Sequence, residues 1–479
     1  MTLQLNRAEY RNKMYGCWLG KNIGGTLGGP FEGRQEILDV TGYTTPAGEP
    51  LPNDDLDLQL VWLKAVREHG PRAITNQLLG EYWLNYISPF WNEYGVCKAN
   101  MRAGLLPPLS GEYENAVWKH SNGAWIRSEI WACLAPGCPD LALRFAYADA
   151  SVDHGGGEGT NAALFTAALE SLAFVISDRE ELLNIALSKI PADCRVARSI
   201  GIAREAHAQG VSWQDARNRV VDDSADLGWF HAPANVAFVV IGWLYGEGDF
   251  SQSLRIAVNC GDDTDCTGAT LGSLLGILYG ADGIPREWIE PIGDRIATIA
   301  IDRGSFWGIP ATLTQLTDEV EKLVPLSLAI VGNVQMTDGP TDMDEGHLAW
   351  MRDQQAAREI WAKSPFAVEF DFIHTRVIVD YQREPKLQAG VPFPLTVTLI
   401  NLMPSCQHAE VIPHLPDGWQ VQPSPQRHVS LRHHPPVEKV TLTLIPDAVP
   451  TGTMRGTLEV NVQGRPTIGL IPLVFFAAE

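Results

Sequence analysis

No stretch of this 479-residue chain is apolar for long enough to span a membrane. The longest apolar runs, near 236–245 and 269–281, are short and interrupted by glycine. The N-terminal stretch MTLQLNRAEYRNKMYG lacks the apolar core of a secretory signal peptide. We therefore expect a cytoplasmic protein that has no membrane partner.

Cysteine is also sparse, and it is not arranged in close pairs. The eight cysteines are scattered along the chain and form no CxxC motif. Cys133 and Cys138, or Cys260 and Cys266, are near enough in sequence to pair. The lack of an export signal favours reduced thiols instead, as is usual for cytosolic proteins.

Positive charge is scarce as well. Lys and Arg number 36 against 57 Asp and Glu, which gives a net charge of −21. A surface of that charge repels nucleic acid and anionic membranes, so neither is expected as a partner. A small anionic ligand is still compatible with this charge if local groups or a metal ion bind it.

Two different residue patterns follow each other along the chain, which is too long for one ordinary core. Residues 1–330 read as helices, and 161–176 is apolar nearly all round, as in the centre of an all-α domain. Farther on, LTVTLI at 395–400 and the later VTLTLI alternate as strands do. These patterns predict a multidomain α and β protein, with an immunoglobulin-like β-sandwich over 365–479. Residues 331–364 are predicted as a linker with one helix.

Acidic residues cluster at two predicted helix starts. NDD at 53–55 precedes one apolar helix, and DDTD at 262–265 precedes another. One aspartate at a helix start commonly caps the helix, but three within four residues are costly to bury without a cation. We therefore expect the two clusters to face each other across a divalent metal. Oxygen ligands and the thin His and Cys content nearby favour Mg²⁺, or Mn²⁺ or Ca²⁺, over zinc.

Two glycine-rich segments lie in the same helical region. GCWLGKNIGGTLGGPFEG at 16–33 contains glycines that would let the backbone approach a ligand, and Glu32 lies near its end. ASVDHGGGEGT at 150–160 places His154 before a glycine-rich helix start, whose N–H groups can bind an anion. An ordinary flexible loop is the alternative for the second segment.

Five segments, taken in this order, resemble the ADP-ribosylglycohydrolase family, which includes ADP-ribosylarginine hydrolases and dinitrogenase-reductase-activating glycohydrolases. GCWLGKNIGGTLGGPFE is similar to the family's N-terminal glycine and glutamate segment, and NDD stands where the family has Thr-Asp-Asp-Thr. SNGAWIR resembles its Asn-Gly-Ala segment, and DASVDHGGGEGTNAALFTAAL resembles its histidine segment. GDDTDCTGATLGSLLGILYG is similar to its C-terminal Asp-Thr-Asp-Thr motif. The resemblance spans roughly residues 10–300 and leaves out the β-rich part.

The resemblance implies an all-α fold with a cleft that holds two Mg²⁺ ions, where a ribosyl glycosidic bond is hydrolysed. It places Asp265 as a bridge between the metals and Glu32 near the scissile bond, where it would orient the leaving group or gate the cleft. Asp55 or Asp262 is expected as the base that acts on water. The expected metal ligands are Asn53, Asp54, Asp55, Asp263, Asp265 and Cys266 or Thr267. The expected substrate-binding residues are Asn122, Arg127, His154, Gly155, Gly156, Gly157 and Asn235.

Some of these residues also have a structural interpretation. Arg127 would equally suit a buried salt bridge, and His231 and Asn235 would suit structural hydrogen bonds.

The chain departs from the family pattern at three positions. Leu56 stands in place of the second threonine of the first motif, and Cys266 in place of the last threonine of the second. Asp153 precedes His154 where the family has a small hydroxylated residue. Because a thiol is a poor ligand for Mg²⁺, Thr267 or water would take over from Cys266, and the expected number of ions is one or two.

Three functions are compatible with these residues. The first is Mg²⁺-dependent hydrolysis of the ribosyl bond in an ADP-ribosylated protein or a small ADP-ribosyl conjugate. The second is hydrolysis of a small N- or O-riboside without ADP, which the altered motifs and the β-sandwich favour. The third, from another class, is an inactive module that binds ADP-ribose or a nucleotide. The β-sandwich would bind carbohydrate, form a homo-oligomer, or cover the cleft of a neighbouring subunit.

Overall fold

A computed structural model describes residues 2–301 and 306–478. Within these residues, α-helices dominate the chain as far as residue 362. Short 3-10 turns follow some of them, at Gly29–Phe31, Pro71–Ala73, Trp118–His120, Trp125–Arg127 and Ala281–Gly283. The helices are α1 Arg7–Gly28, α2 Asp54–His69, α3 Asn76–Tyr86, α4 Asn92–Ala103, α5 Leu109–Glu112, α6 Glu129–Leu134, α7 Pro139–His154, α8 Glu158–Ala173, α9 Arg179–Leu187, α10 Arg195–Ala208, α11 Trp213–Ser224, α12 Ala232–Tyr245, α13 Phe250–Asn259, α14 Thr264–Tyr279, α15 Arg286–Ile289, α16 Leu313–Leu328, α17 Glu345–Met351 and α18 Gln355–Trp361.

The core of the helical part contains helices that are buried on nearly every side. Almost all residues of α8 and α12 are buried, which confirms what their apolar runs predict. Large aromatic side chains fill the space around them, namely Trp18, Trp62, Trp83, Trp125 and Trp131. Such side chains supply much of the buried apolar area of a core. The candidate site therefore rests on a closely packed base.

Glycines bring α1 and α14 into direct backbone contact. A Cβ added to Gly20 would lie 1.9 Å from the carbonyl oxygen of Gly272, and one added to Gly24 would lie 1.9 Å from that of Gly268. No side chain fits at these distances, so the two helices pack closely only because both carry glycine. The glycines of α1 were expected to admit a ligand, and this expectation is wrong for those that face α14, namely Gly16, Gly20, Gly24 and Gly28.

This contact has a consequence for the acidic segments. Thr264, the first residue of α14, donates a hydrogen bond from Oγ1 to the carbonyl oxygen of Gly28 over 2.8 Å. The chain after α1 is held in turn by hydrogen bonds from Gly33 N to Asp262 O, 2.8 Å, and from Asp262 N to Arg34 O, 2.7 Å. The end of α1 and the start of α14 therefore lie side by side.

The helical unit contains one departure from an all-α fold. Strand β1, Leu3–Asn6, pairs in parallel with β2, Val334–Thr337, which lies in the segment predicted as a linker. That segment also forms two helices, α17 and α18, where one was predicted. By contacts, the first compact unit comprises Met1–Val96 and Asn115–Ala362.

The second compact unit comprises Cys97–Glu114 and Lys363–Glu479, so the predicted boundaries differ from this division at residues 97–114 and 331–362. Its strands are β3 Ala367–Asp371, β4 Thr375–Asp380, β5 Lys386–Leu387, β6 Phe393–Asn401, β7 Gln407–His414, β8 Gln420–Gln422, β9 Arg427–Leu431, β10 Val437–Ile445, β11 Thr453–Val462 and β12 Ile468–Ala477.

These strands form two five-stranded sheets, as the alternating patterns predict. The strand order is β3-β4-β6-β10-β8 in one sheet and β5-β12-β11-β7-β9 in the other. The neighbours β4, β6 and β10 and the neighbours β7, β11 and β12 correspond to the two halves of an immunoglobulin-like arrangement. Apolar residues of both sheets share one core, and Leu105, Leu109 and Tyr113 of the earlier segment belong to it.

The structure bears on two features that the sequence analysis considered, namely cysteine pairing and membrane-spanning helices. No disulfide links any of the eight cysteines, all of which lie among the described residues. Among the described residues, no helix combines the length and the apolar character that crossing a membrane requires.

Candidate active site

The two acidic segments begin helices in different ways. Asn53 caps α2, because its Oδ1 accepts a hydrogen bond from the backbone N–H of Asp55 over 2.7 Å. Asp263 occupies the same position before α14, but its side chain accepts no capping hydrogen bond. Capping therefore explains Asn53 and does not explain the carboxylate of Asp263.

The structure brings the carboxylates of the two segments together. One ligand atom from each of Glu32, Asp263 and Asp265 lies within 4.8 Å of the other two, and the same holds for Asp55, Asp265 and Cys266. Asp265 belongs to both groups, and the family resemblance implies a bridging role for it. The contact between α1 and α14 explains how Glu32 joins residues more than 200 positions away in the chain.

Within residues 2–301 and 306–478, three carboxylate oxygens of this cluster find no hydrogen-bond partner. They are Oδ2 of Asp55, Oδ1 of Asp263 and Oδ1 of Asp265, and each is buried. The nearest compensating cation is the buried Lys21, whose Nζ lies 3.7 Å from Asp55 Oδ2 but only 2.6 Å from Glu129 Oε1. Buried carboxylates in native proteins normally have partners, so these oxygens point to a missing cation.

The electrostatics of the cluster agree with this interpretation. The charge of Asp265, together with burial, raises the pKa of Glu32 to about 7. Burial, with a further contribution from Asp265, raises the pKa of Asp54 to about 6. Burial is also the main cause that raises the pKa of Asp55 and Asp263 well above the usual value. The carboxylates repel one another, and a divalent ion among them would remove that cost.

The donor set fits a hard divalent ion. Carboxylate oxygens are the ligands that Mg²⁺, Mn²⁺ and Ca²⁺ prefer. The thiol of Cys266 lies 3.6 Å from Asp55 Oδ1 and acts as a hydrogen-bond donor to it. Burial raises the pKa of that thiol, so it stays neutral and is a poor ligand. The alternative ligand Thr267 stays a prediction, and its hydroxyl donates to the carbonyl oxygen of Thr264 over 3.2 Å.

The cluster forms part of the wall of a cavity of about 490 Å³, a volume typical of small-molecule sites. Acidic and aromatic side chains dominate the lining. The acidic ones are Glu32, Asp54, Glu93 and Asp265, and the aromatic ones are Trp91, Tyr94, Trp229 and Phe230. The remaining lining residues are Gly25, Gly29, Leu51, Pro52, Asn53, Asn92, Asn122, Gly123, Ile126, Cys266 and Ile299. Every charged side chain that the structure describes along this wall is therefore negative.

Neighbouring polar groups hold the carboxylates in place. Asn122 lines the cavity and donates from Nδ2 to Asp263 Oδ2 over 2.6 Å. Tyr94 donates from its hydroxyl to Asp54 Oδ2 over 2.9 Å. Each contact orients one carboxylate, which is what a metal site requires of the residues around its ligands.

Arg127 lies outside the cavity wall, contrary to its predicted role in substrate binding. The side chain is fully buried and pairs with Asp149, 2.9 Å, and Asp153, 2.8 Å. Its guanidinium group also lies over the rings of Trp62 and Trp83. The structural salt bridge, which was the alternative, is the interpretation that the structure supports. Asp153, one of the departures from the family pattern, supplies half of that bridge.

His154 and the glycines that follow it are also outside the cavity wall. His154 is buried with Nδ1 3.0 Å from Asp153 Oδ1 and Nε2 3.2 Å from Ser121 Oγ. A Cβ on Gly157 would lie 2.0 Å from the carbonyl oxygen of Lys119, so this glycine serves close packing. Gly155 and Gly156 do not line the cavity either. Substrate binding by this segment therefore stays a prediction, and the cavity lining does not support it.

Asn235 and Asp262, two further predicted residues, make contacts outside the two carboxylate groups. Asn235 is buried, accepts from Asp263 N over 3.2 Å and donates to the carbonyl oxygen of Trp229 over 2.8 Å. Asp262, a candidate base, instead lies 3.8 Å from Arg217 and outside both carboxylate groups. Its backbone adopts a φ of 61°, which turns its side chain away from the sequence neighbours that form the cluster.

Several residues of the site were not predicted from the sequence. Glu93 and Tyr94 stand in FWNEYG, which carries no acidic cluster and no glycine-rich turn that would mark it. Trp229 and Phe230 precede His231 without any spacing signal. Lys21 did leave a signal, because it is the one charged residue in the apolar run GCWLGKNIGG.

The chain is similar to several known proteins. The model of the ADP-ribosylglycohydrolase family matches residues 6–326. The ADP-ribosylarginine hydrolase Tri1 of Pseudomonas putida (strain GB-1) is 29% identical over 299 residues, which cover 60% of this chain and 74% of that protein. An uncharacterized protein of Archaeoglobus fulgidus is 24% identical over 299 residues, which cover 59% of this chain and 92% of that protein. A solved ADP-ribosylglycohydrolase-related protein complex aligns with a TM-score of 0.44 and 22% identity, over 67% of this chain and 98% of that one.

Proposed function

Because this chain belongs to the ADP-ribosylglycohydrolase family and is a glycosidase, we propose that it is a Mg²⁺-dependent hydrolase of ADP-ribosyl conjugates. The observation that carries the proposal is the buried carboxylate cluster with unpartnered oxygens at the wall of the cavity. The complete set of carboxylates supports an active enzyme over an inactive nucleotide-binding module.

The residues that would hold the ion come from three segments of the helical unit. Glu32 follows α1, Asp54 and Asp55 begin α2, and Asp263 and Asp265 flank the start of α14. When bound, Mg²⁺ supplies a positive charge that fixes sugar hydroxyls and makes bound water more acidic. The carboxylates of these two overlapping groups could hold one ion or two.

The chain's own residues account for the remaining steps. Hydrolysis of a riboside passes through positive charge at the anomeric carbon, which a wall of carboxylates stabilises. A carboxylate of the cluster would take the proton of the attacking water, and Asp55 is the candidate that the sequence offers for this role. Glu32 is exposed at the cavity and would orient the substrate there. Trp91, Trp229 and Phe230 offer flat apolar surfaces to the rest of the substrate.

An arginine conjugate is the proposed form of the substrate. The relative from Pseudomonas putida is named an ADP-ribosylarginine hydrolase, which supports the same linkage here. The acidic and aromatic lining would attract a guanidinium group, because carboxylates pair with it and aromatic faces stack on it.

A second candidate is a small riboside without ADP. The same lining favours it, because the charged side chains that the structure describes along the cavity are all acidic and would repel a diphosphate. The carboxylate cluster would serve this substrate equally well, since it acts on the ribosyl group.

A substrate comparison tests these proposals. ADP-ribosylarginine and a panel of ribosides that lack ADP would be offered in Mg²⁺ and in excess EDTA. Metal-dependent release of ADP-ribose supports the first proposal, whereas activity on the panel alone replaces it with the second. Asp265→Asn should lower kcat/KM at least about 100-fold, with the exposed Asp282→Asn as the matched control. Unchanged activity in Asp265→Asn would refute the metal site.

A further inference from the structure

One acidic residue of the cavity belongs to neither carboxylate group. Glu93 is the second residue of α4, lines the cavity, and has only 2% of its surface exposed. Its Oε2 is buried and has no hydrogen-bond partner. A buried, unpartnered carboxyl oxygen at a substrate cavity needs an explanation, because desolvation without a partner is costly.

Gly123 makes room for this carboxyl group. A Cβ on Gly123 would lie 2.3 Å from Glu93 Oε1 and 3.0 Å from Tyr94 Cε1, so any larger residue would displace the Glu93 side chain. The absence of a side chain at position 123 therefore keeps the carboxyl group where it is, next to the segment that carries Asn122.

Glu93 is also flanked by the two residues that orient the metal-binding carboxylates. Tyr94, its neighbour in sequence, donates to Asp54, and Asn122, the neighbour of Gly123, donates to Asp263. Glu93 therefore lines the cavity next to the two residues that orient the carboxylate cluster.

We propose that Glu93 is the general acid that protonates the leaving group, an inference that rests on the proposed function. In this step the bond between C1″ and the leaving atom breaks, and its electron pair goes to the leaving atom. That atom takes the proton from the carboxyl group of Glu93, which lines the cavity. Water forms the new bond to C1″ and gives its proton to a carboxylate of the cluster, and exchange with solvent returns a proton to Glu93.

The protonation state of Glu93 suits this role. Burial is the main cause that raises its pKa to about 7, Asp153 raises it further, and His154 opposes them. Near neutral pH a large part of the Glu93 population therefore carries the proton that the leaving group needs, which is the condition for an efficient general acid.

A pair of substrates with different leaving groups tests the proposal. Guanidine leaves poorly without a proton, whereas p-nitrophenolate leaves without one. In the full-length enzyme with Mg²⁺, Glu93→Gln should lower kcat on ADP-ribosylarginine by about 100-fold, and kcat on the p-nitrophenyl conjugate of ADP-ribose by less than about threefold. Glu81→Gln, an exposed glutamate of α3, is the matched control and should change neither.

A second variant distinguishes loss of the general acid from misfolding of Glu93→Gln. Gly123→Ala should push the carboxyl group aside and give the same split between the two substrates, with a smaller loss than Glu93→Gln. Equal losses on both substrates in both variants, or no loss in either, would overturn the inference while the proposed function stands. A wild-type enzyme that is inactive on both conjugates would overturn the proposed function and the inference with it.

Discussion

At the scale of single residues, neighbouring side chains donate hydrogen bonds to one oxygen of a carboxylate in the site. Asn122 binds Oδ2 of Asp263, whose Oδ1 has no hydrogen-bond partner. Tyr94 binds Oδ2 of Asp54 in the same way. A neutral donor on one oxygen fixes the direction in which the carboxylate presents its remaining lone pairs to a cation.

Tyr94→Phe tests this division of roles. The change removes the hydroxyl that donates to Asp54 and keeps the ring that packs against Trp83. We expect the affinity for Mg²⁺, measured by calorimetric titration, to fall by about tenfold. Tyr43→Phe removes a hydroxyl bound to the carbonyl oxygen of Trp288 and is the control. Equal affinities for both variants would show that Tyr94 does not orient a ligand.

The pH dependence of the reaction follows from the role of Glu93. Burial dominates in raising the pKa of Glu93 to about 7, while His154 and a hydrogen bond with Ser121 lower this pKa and Asp153 raises it. Because a general acid works only when protonated, kcat on ADP-ribosylarginine should fall as pH rises above about 7. The p-nitrophenyl conjugate should lack this decline, and so should Glu93→Gln with either substrate. A decline of the same midpoint in Glu93→Gln would assign it to another group.

At the scale of elements, the site depends on the contact between α1 and α14. Glu32 comes directly after the turn that ends α1, and Asp263 and Asp265 stand at the start of α14. Only the close approach of glycine to glycine brings these segments side by side. The glycines of α1 and α14 therefore determine how the carboxylates at the ends of these helices are arranged.

Gly20→Ala should weaken this contact. The added methyl group would meet the carbonyl oxygen of Gly272 at 1.9 Å, and neither backbone can move away without separating the helices. We expect a loss of about 3 kcal/mol in the free energy of unfolding, measured with denaturant, together with lower affinity for Mg²⁺.

Gly201→Ala is the matched control for that variant. Gly201 lies inside α10, and a Cβ there would meet nothing within 4 Å. Because alanine favours the helix over glycine, this change should raise the free energy of unfolding by about 0.5–1 kcal/mol. A stabilising effect of both alanines would mean that the α1–α14 contact tolerates separation.

The sequence predicted these elements unevenly, for physical reasons. Asp263 and Asp265 could be predicted as a site because charge next to an apolar helix is costly, and that cost is visible in one short stretch. Arg127 could not be placed, because its role depends on Asp149 and Asp153, which no local pattern links to it. Glu93 carried no signal, because its importance arises only from burial beside a cavity.

In the β-rich unit, too, the sequence predicted elements with a local pattern and missed those that depend on long-range contacts. Its strands alternate clearly in sequence and were predicted, whereas residues 97–114 read as part of the helical domain. Leu105 and Leu109 of that segment are apolar residues that suit a helical core and a sheet core equally. These residues belong to the β-rich unit because they contact residues more than 250 positions later in the chain. The periodicity of the local sequence gives no information about such contacts.

At the scale of the whole molecule, the chain forms two compact units, each with its own core, and the carboxylate cluster belongs to the first. A ligand that binds only the folded form stabilises the unit that binds it. In the metal-free protein, burial and mutual repulsion of the carboxylates oppose folding of the helical unit. Mg²⁺ should therefore stabilise that unit and leave the β-rich unit unchanged.

Thermal unfolding followed by far-ultraviolet circular dichroism measures this effect through the loss of helix. At a Mg²⁺ concentration about 100 times the Kd, the helical unit should gain about 2.7 kcal/mol in its free energy of unfolding, and excess EDTA should remove the gain. Asp265→Asn should lose the response to Mg²⁺, because Asp265 belongs to both carboxylate groups, whereas Asp282→Asn should keep it. An undiminished response in Asp265→Asn would place the stabilising ion outside the cluster, since no ion shared by the two groups can bind without their common carboxylate.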